Sequence, residues 1–297
     1  MSERTHWRDY LALTKPGVVM LLMVTAVAGM FLATEPAGMV PLATFIPAFV
    51  GLSLAMMASA AINQIMDQKI DAIMKRTEKR PLVAGKLTPK AAITFAVLLA
   101  TASMIMLYFL VNPLTAWLTL FGFVGYAFIY TLYLKRATPQ NFVIGGIAGA
   151  IPPLLGWTAV TGEAHPYAWL LVLIIFVWTP PHFWALALVK ESEYGAVKVP
   201  MLPNVVGVQE TKRQIVIYTA AMSLIGLVPF VLGAAGYIYF VVSLAFGGLF
   251  MVNAWQLLRG DSLAPAKRMF GFSIFYLFLL FGLLLVDARS HVSLTWL

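Results

Sequence analysis

The sequence concentrates its charge in one stretch, Asn63-Gln-Ile-Met-Asp67-Gln-Lys-Ile-Asp71-Ala-Ile-Met-Lys75-Arg76-Thr-Glu-Lys79-Arg80-Pro81, which follows an apolar run ending near residue 61. Asn63, Asp67 and Asp71 are four residues apart. Successive residues of an α-helix turn by about 100°, so this spacing drifts by only about 40° per step and keeps the three side chains on one face. If the helix continues through the stretch, one amide and two carboxylates point the same way at a membrane boundary.

The chemistry of this stretch favours a divalent cation and a phosphate. Two carboxylates in an apolar setting are costly unless a positive charge neutralises them, and hard oxygen ligands suit Mg²⁺, which takes one or two carboxylates together with substrate phosphates. Basic side chains that would bind an anion follow within one to three turns: Lys75, Arg76, Lys79 and Arg80. We therefore predict a metal-assisted diphosphate site whose substrate carries an organic tail in the membrane.

A simpler interpretation is a solvated cytoplasmic loop whose positive charge fixes the topology of a membrane protein. This interpretation needs no particular spacing of the polar residues. The regular spacing of residues 63, 67 and 71 favours the site, because a loop has no reason to keep helical phase.

The composition places the chain among membrane proteins. Of its 297 residues, 61% are hydrophobic and 11% are charged, against roughly 25% charged residues in soluble domains. Apolar segments fill the chain, so we expect one integral membrane domain over 1–297. The formal charge of +8 does not indicate nucleic-acid binding, because the basic residues are scattered between apolar spans. The absence of cysteine excludes disulfides and thiolate metal sites.

Nine apolar windows are long enough for membrane helices, which need about 20 residues each. They lie at 14–34, 40–62, 91–111, 114–134, 142–160, 167–189, 214–234, 237–258 and 269–287. Nineteen of the 20 Lys and Arg residues lie on one side: Arg4, Arg8 and Lys15 near the amino terminus and the others in the connectors 63–90, 135–141, 190–213 and 259–268. By the positive-inside rule this side is cytoplasmic. We therefore expect an all-α polytopic membrane protein with a polar cytoplasmic N-terminus over 1–13 and a C-terminus outside.

The second long connector, 190–213, is the other candidate for catalysis. The span before it contains Pro180 and Pro181, which remove backbone donors and are expected to kink the helix. An ionisable residue beside such a kink is a site candidate, so His182 is a candidate ligand or acid/base. The connector itself contains a predicted second carboxylate site, formed by Glu191, Glu193 and Tyr194. It also contains two further cations that are predicted to bind phosphate, Lys190 and Lys198.

Motifs over most of the chain carry a family resemblance. They are Asn63-x-x-x-Asp67-x-x-x-Asp71, Arg76-Thr, Arg80-Pro81, Tyr130-Thr-Leu-Tyr-Leu-Lys135-Arg136-Ala-Thr-Pro-Gln-Asn141, Gly145-Gly146, Pro152-Pro153-x-x-Gly156-Trp157, Thr179-Pro-Pro-His-Phe-Trp184 and Val199-Pro-Met-Leu-Pro203. Together they resemble the UbiA-type intramembrane prenyltransferase superfamily. The carboxylate motif marks the superfamily, whereas the Thr-Pro-Pro-His-Phe-Trp and Lys-Arg-x-Thr-Pro-Gln-Asn strings are similar to its haem-modifying branch.

This resemblance implies nine helices around a central cavity open to the cytoplasm, in a multi-pass protein of the bacterial inner membrane. It implies Mg²⁺ as cofactor and transfer of a farnesyl group from farnesyl diphosphate to a vinyl group of haem B, with water added. Asp67 and Asp71 would hold Mg²⁺ against the diphosphate with Asn63 beside them, and Lys135 and Arg136 would bind phosphate. The product would pass to terminal-oxidase assembly or to haem A synthase.

Three points stay open within this resemblance. The superfamily's second connector is often rich in Asp, whereas this chain has Glu191 and Glu193, which leaves a second metal site undecided. The superfamily's phosphate motif has Tyr and Lys four apart, whereas Tyr130 and Lys135 are five apart, about 140° out of phase on a regular helix. His182 would ligate haem iron, hydrogen-bond a propionate or pass a proton.

Two other functions fit the sequence. A prenyltransferase of this kind can act on an aromatic acceptor such as 4-hydroxybenzoate or a quinone precursor. A secondary transporter also has broken helices and intramembrane ionisable groups. Against transport, the polar residues cluster at one membrane face, and no span carries an acidic residue near its middle.

Overall fold

The protein is entirely helical in the computed structural model, which describes residues 6–34, 39–196 and 199–287. No strand occurs in these ranges. The elements in chain order are α1 (Trp7–Leu13), α2 (Pro16–Leu32), α3 (Leu42–Asp71), α4 (Pro89–Leu110), α5 (Pro113–Val124), a π-helix (Gly125–Leu134), α6 (Lys135–Ala137), α7 (Asn141–Ala150), α8 (Pro152–Thr161), α9 (Pro166–Val189), α10 (Glu191–Ala196), α11 (Leu202–Val206), α12 (Val208–Ile225), α13 (Val228–Val231), α14 (Tyr237–Arg259) and α15 (Ala264–Val286).

These elements provide up to nine membrane spans within the described ranges. Eight stretches are long and apolar enough to cross a bilayer, and the ninth consists of α1 and α2, which meet at an angle of 53°. The predicted all-α polytopic architecture is therefore confirmed. The connectors are shorter than predicted, because α3 continues to Asp71 and α12 already starts at Val208. The second connector is itself largely helical, since it contains α10 and α11.

The central helix of the bundle is α9, the most deeply buried of the spans. It contacts α7, α8, α12 and α15. The sequence predicts a kink at Pro180 and Pro181, and the structure has one helix, α9, that continues through both prolines from Pro166 to Val189. Both prolines are buried against neighbouring helices, a setting in which membrane helices tolerate proline. His182 is therefore held on a continuous, packed helix rather than beside an interruption.

Two glycines allow α2 and α8 to pack with their backbones in contact. A Cβ atom added at Gly29 would lie 2.1 Å from the carbonyl oxygen of Pro153, and one added at Gly156 would lie 1.8 Å from that of Ala26. Small residues permit this close approach between helices in lipid. The contact fixes α2, and with it the residue at its start, Lys15, against the rest of the bundle.

We expect Gly156→Ala to destabilise the protein, because the new methyl group collides with backbone rather than with a movable side chain. Overpacking a well-packed site typically costs about 1–3 kcal/mol, and a backbone collision falls at or above the upper end of that range. The measurement is the melting temperature of the purified protein in detergent. The control is Gly248→Ala, since a Cβ at Gly248 meets nothing within 4 Å. Equal melting temperatures for the two variants would contradict the packing argument.

Candidate active site

The predicted carboxylate stretch forms the end of α3. Asn63, Asp67 and Asp71 share one helix, as their spacing predicted, and all three are buried, with exposed fractions of 5%, 3% and 4%. Buried carboxylates are unstable without compensating partners. The contacts of these side chains therefore define the candidate site.

Asp67 is held by partners from two parts of the chain. Its Oδ2 accepts hydrogen bonds from the Asn63 amide at 3.0 Å and from Lys135 Nζ at 2.7 Å. Asn63 Nδ2 also lies 3.2 Å from Thr131 Oγ1. The other carboxylate oxygen, Asp67 Oδ1, is buried and has no hydrogen-bond partner in the part of the chain that the structure describes. A buried carboxylate oxygen without a partner is a strong acceptor whose desolvation is not compensated.

Asp71 is neutralised from within the connector that follows it. The Arg80 guanidinium donates to Asp71 Oδ2 in a salt bridge. The Thr77 hydroxyl donates to the Asp71 carbonyl oxygen at 2.9 Å, and the connector is anchored by the buried side chains of Leu82 and Leu87. The connector therefore folds back over the end of α3, which contradicts the simpler loop interpretation for Asp67 and Asp71, whereas Lys75, Arg76 and Lys79 remain exposed.

Lys15 completes the cluster, and the sequence analysis did not assign it to the site. It lies between α1 and α2 with φ 51° and ψ 60°, a left-handed conformation that is uncommon for residues other than glycine. Its Nζ donates to Asn63 Oδ1 at 2.6 Å. Backbone strain of this kind costs of order 1–3 kcal/mol and is concentrated at functional sites. The signal in the sequence is a lysine directly before Pro16 at the start of a span, and by itself it indicates only a topology charge.

The π-helix explains how Lys135 reaches this cluster. Hydrogen bonds in a π-helix join residues five apart, and such segments are frequent at functional sites. The N–H of Lys135 donates to the carbonyl oxygen of Tyr130, five residues earlier. Residues 130 and 135 therefore lie one helical turn apart, and the offset of about 140° that a regular α-helix would impose does not occur. Tyr130 itself lines the central cavity and stacks on Tyr126, with ring centroids 5.7 Å apart.

The donor set fits a hard divalent cation. It combines a partnerless buried carboxylate oxygen of Asp67 with the oxygens of Asp71 and Asn63 on one helix face. Within the described residues, no three His, Cys, Asp or Glu side chains come close enough to hold a metal by themselves. Mg²⁺ does not need such a cage, because it keeps several water ligands and binds through one or two carboxylates plus substrate phosphate.

The structure separates the other predicted phosphate-binding residues into two groups. Arg80 and Lys135 contact the carboxylates, whereas Lys75, Arg76, Lys79 and Arg136 are exposed. In the second connector, Lys190 pairs with Glu193 at 2.5 Å, and Glu193 Oε2 is buried without a partner among the described residues. Glu191 is half-buried. Lys198 lies outside the described residues, as does the side chain of Tyr194, so the second carboxylate site stays a prediction.

A cavity of about 490 Å³ meets the cluster at Lys15, which lines it, whereas Asn63, Asp67, Asp71 and Lys135 are not among its lining residues. Lys15 is the one charged side chain among its lining residues in the described ranges. The rest of the wall is mostly apolar and aromatic, with contributions from α2, α3, α5, the π-helix, α7, α8, α9 and α15. The arrangement suits a ligand with an anionic head at Lys15 and the carboxylates and with an apolar body inside the bundle.

His182 lines this cavity from α9. It is buried, with an exposed fraction of 7%, and its ring is stacked between Trp178 and Phe270, with centroid distances of 4.2 and 4.6 Å. Its Nδ1 lies 2.6 Å from the hydroxyl oxygen of Ser273 on α15. The ring is thus fixed by packing on both faces and by a hydrogen bond at one edge.

Comparison with known proteins agrees with this geometry. The UbiA prenyltransferase family matches residues 22–282 of the chain. A protoheme IX farnesyltransferase of Alcanivorax borkumensis is 76% identical over 293 residues, which cover 99% of this chain and 97% of that protein. Protoheme IX farnesyltransferase 1 of Pseudomonas fluorescens is 52% identical over 291 residues, which cover 97% and 96% of the two chains.

Solved structures share the fold at low sequence identity. A structure described for digeranylgeranylglyceryl phosphate synthase in membranes has a TM-score of 0.79 and 17% identity, covering 94% of this chain and 97% of that one. A UbiA homologue from Archaeoglobus fulgidus bound to DMAPP and Mg²⁺ has a TM-score of 0.67 and 16% identity, covering 92% and 99%. These similarities establish the arrangement of the helices.

Proposed function

Because the chain belongs to the UbiA prenyltransferase family, we propose that it transfers a farnesyl group from farnesyl diphosphate to a vinyl group of protohaem IX, with addition of water. The observation that carries the proposal is the polar cluster of Lys15, Asn63, Asp67 and Lys135, which meets an apolar cavity at Lys15. The cluster fits a diphosphate head, and the cavity fits the prenyl chain. The names of relatives at 76% and 52% identity support protohaem IX as the acceptor.

The carboxylate cluster prepares the donor for ionisation. Asp67 and Asp71, with Asn63 beside them, would hold Mg²⁺, which when bound offsets negative charge on the diphosphate. Lys15, Lys135 and Arg80 are positioned to bind the same leaving group, because each already contacts this side-chain cluster. Fixed positive charges of this kind stabilise the charge that develops as the allylic C–O bond breaks. The apolar cavity wall keeps water away from the resulting carbocation.

The acceptor step forms one carbon–carbon bond. The farnesyl C1 cation is attacked by the terminal carbon of a haem vinyl group, which leaves a cation on the inner vinyl carbon, next to the porphyrin. Water adds to that carbon and releases a proton, so the product carries one farnesyl and one hydroxyl group more than the acceptor. Tyr126 and Tyr130 present aromatic rings to the cavity at its charged end, where an aromatic face stabilises a nearby cation.

The distribution of charge supports a topology for this reaction. The carboxylate cluster lies among the connectors that hold most of the Lys and Arg residues, so we place the donor site at the cytoplasmic face. The whole chain then forms one catalytic domain in the bacterial inner membrane, with the N-terminus inside and the C-terminus outside. The product is apolar and membrane-bound, which suits direct transfer to haem A synthase or to terminal-oxidase assembly.

The experiment supplies the purified protein in detergent with Mg²⁺, labelled farnesyl diphosphate and one of two acceptors, protohaem IX or 4-hydroxybenzoate. We expect labelled product from protohaem IX only, with a mass increased by one farnesyl and one hydroxyl group. The His165→Ala variant serves as a control, because His165 lies outside the cavity lining and stacks on Trp157. Label in the phenolic acceptor, without label in haem, would show that the acceptor is a quinone precursor.

A further inference from the structure

The hydrogen bonds of Ser273 determine which nitrogen of His182 carries the proton. A serine hydroxyl has one proton to donate. Ser273 Oγ lies 2.7 Å from the carbonyl oxygen of Phe270, which can only accept, so the hydroxyl proton is used there. Ser273 Oγ also lies 2.6 Å from His182 Nδ1. This second hydrogen bond must therefore be donated by His182, as Nδ1–H to the serine oxygen.

The protonated Nδ1 leaves Nε2 as the nitrogen with a free lone pair. In a neutral imidazole one nitrogen is a donor and the other is an acceptor. Histidines that ligate metals almost always donate their other ring N–H to an oxygen, which fixes the tautomer and the ring orientation. Ser273 provides such an oxygen from α15, and it is completely buried. His182 therefore has the hydrogen-bond arrangement of a metal ligand.

The surroundings of His182 hold the ring in one orientation. Trp178 and Phe270 stack on its two faces at interplanar angles of 19° and 24°. The indole N–H of Trp178 donates to the carbonyl oxygen of Ser273 at 2.7 Å, which ties α9 to α15 at this level. The contact between α9 and α15 is thus formed by Trp178 and His182 on one side and by Phe270 and Ser273 on the other. The His182 ring cannot rotate without breaking its stacking with Trp178 and Phe270 and its hydrogen bond with Ser273.

We propose that His182 binds the iron of the acceptor haem through Nε2, and that Ser273 is the positioning residue for this ligand; this inference rests on the proposed function. Histidine is a common axial ligand of haem iron, and His182 is the one imidazole that lines the cavity in the described part of the chain. Iron ligation fixes the porphyrin at one point, so that a vinyl edge can be held toward the farnesyl donor.

The direct test is the absorption and resonance Raman spectrum of the full-length protein in detergent with added haem and no farnesyl diphosphate. We expect a histidine-ligated spectrum with an iron–histidine stretching band in the ferrous state. His182→Gly should lose this band, and exogenous imidazole should restore it. The control His165→Gly should keep it, because His165 stacks on Trp157 outside the cavity lining. A band that survives in His182→Gly without imidazole would overturn the proposal while leaving haem as the acceptor.

The role of Ser273 is tested separately by Ser273→Ala and Ser273→Thr. Loss of a partner that orients a ligating histidine typically weakens metal binding about 10–100-fold, so we expect Ser273→Ala to weaken haem binding at least about tenfold and to shift the iron–histidine band. Ser273→Thr keeps the hydroxyl and should restore both. An unshifted band in Ser273→Ala would overturn the positioning role. If even the wild-type protein shows no haem spectrum and labels only the phenolic acceptor, both the inference and the proposed function fail together.

Discussion

Asp67→Asn should abolish farnesyl transfer while the protein remains in the membrane. The substitution keeps the shape of the side chain but removes its charge. In the variant, Lys135 loses its anionic partner. The charge of Asp67 Oδ1, the carboxylate oxygen that has no hydrogen-bond partner in the described wild-type structure, is also lost. Because removal of a single group that stabilises developing charge costs about 10²–10³ in rate, and Asp67 serves both a metal and a lysine, we expect a loss of at least about 10³-fold. The measurement is labelled haem product per unit of membrane-bound protein.

The matched control for Asp67 is Glu78→Gln. Glu78 is an exposed carboxylate in the connector that follows α3, so its neutralisation changes the net charge by the same amount without touching the cluster. We expect transfer to stay within about twofold of the wild type, since surface charges contribute little. A retained turnover above about one tenth in Asp67→Asn, with normal protein levels, would refute the role of this carboxylate.

The carboxylate face could be predicted because helical phase is a local property of the sequence. Residues 63, 67 and 71 follow one another at a spacing that needs no tertiary information. The membrane spans could be predicted for a similar reason, since each depends on the apolar content of one window. Both predictions agree with the described structure, down to the continuation of α3 through Asp71.

The partners of the carboxylates could not be predicted in this way, because they arrive from distant parts of the chain. Lys15 meets Asn63 across 48 residues, and Lys135 meets Asp67 across 68 residues. Nothing local distinguishes Arg80, which turns inward to Asp71, from Lys79, which is exposed. Which of the basic residues bind the site is decided by how the connector folds over α3.

The π-helix could not be predicted either, and it resolves the open question of how Tyr130 and Lys135 are placed. A spacing of five placed Tyr130 and Lys135 on different faces of a regular α-helix. The chain instead forms a segment whose hydrogen bonds span five residues. The extra residue between Tyr130 and Lys135 is thus accommodated by the π-helix, which has one more residue per hydrogen-bonded turn than an α-helix. Lys135 therefore still reaches Asp67.

Lys135→Met should reduce farnesyl transfer roughly a hundredfold, the lower end of the loss seen when one stabilising donor is removed from an active site. Methionine keeps much of the apolar length of the side chain but cannot donate to Asp67 or to phosphate. Lys135→Arg should retain part of the activity, because it preserves the charge with a different geometry. The measurement is product formation at saturating farnesyl diphosphate, together with the concentration of farnesyl diphosphate at half-maximal rate.

The neighbouring residue provides the comparison for Lys135. Arg136 carries the same charge one position later in the same helical segment, but its side chain is exposed and forms no ion pair with another described residue. We expect Arg136→Met to cost at most about threefold, as is usual for solvent-exposed charges. If the two variants lose activity equally, then the positive potential of the whole connector binds the diphosphate, and the specific position that the π-helix gives to Lys135 is irrelevant. We expect a much larger loss for Lys135→Met than for Arg136→Met, because Lys135 contacts Asp67 and Arg136 does not. Asp67 and Lys135 would bind the same diphosphate.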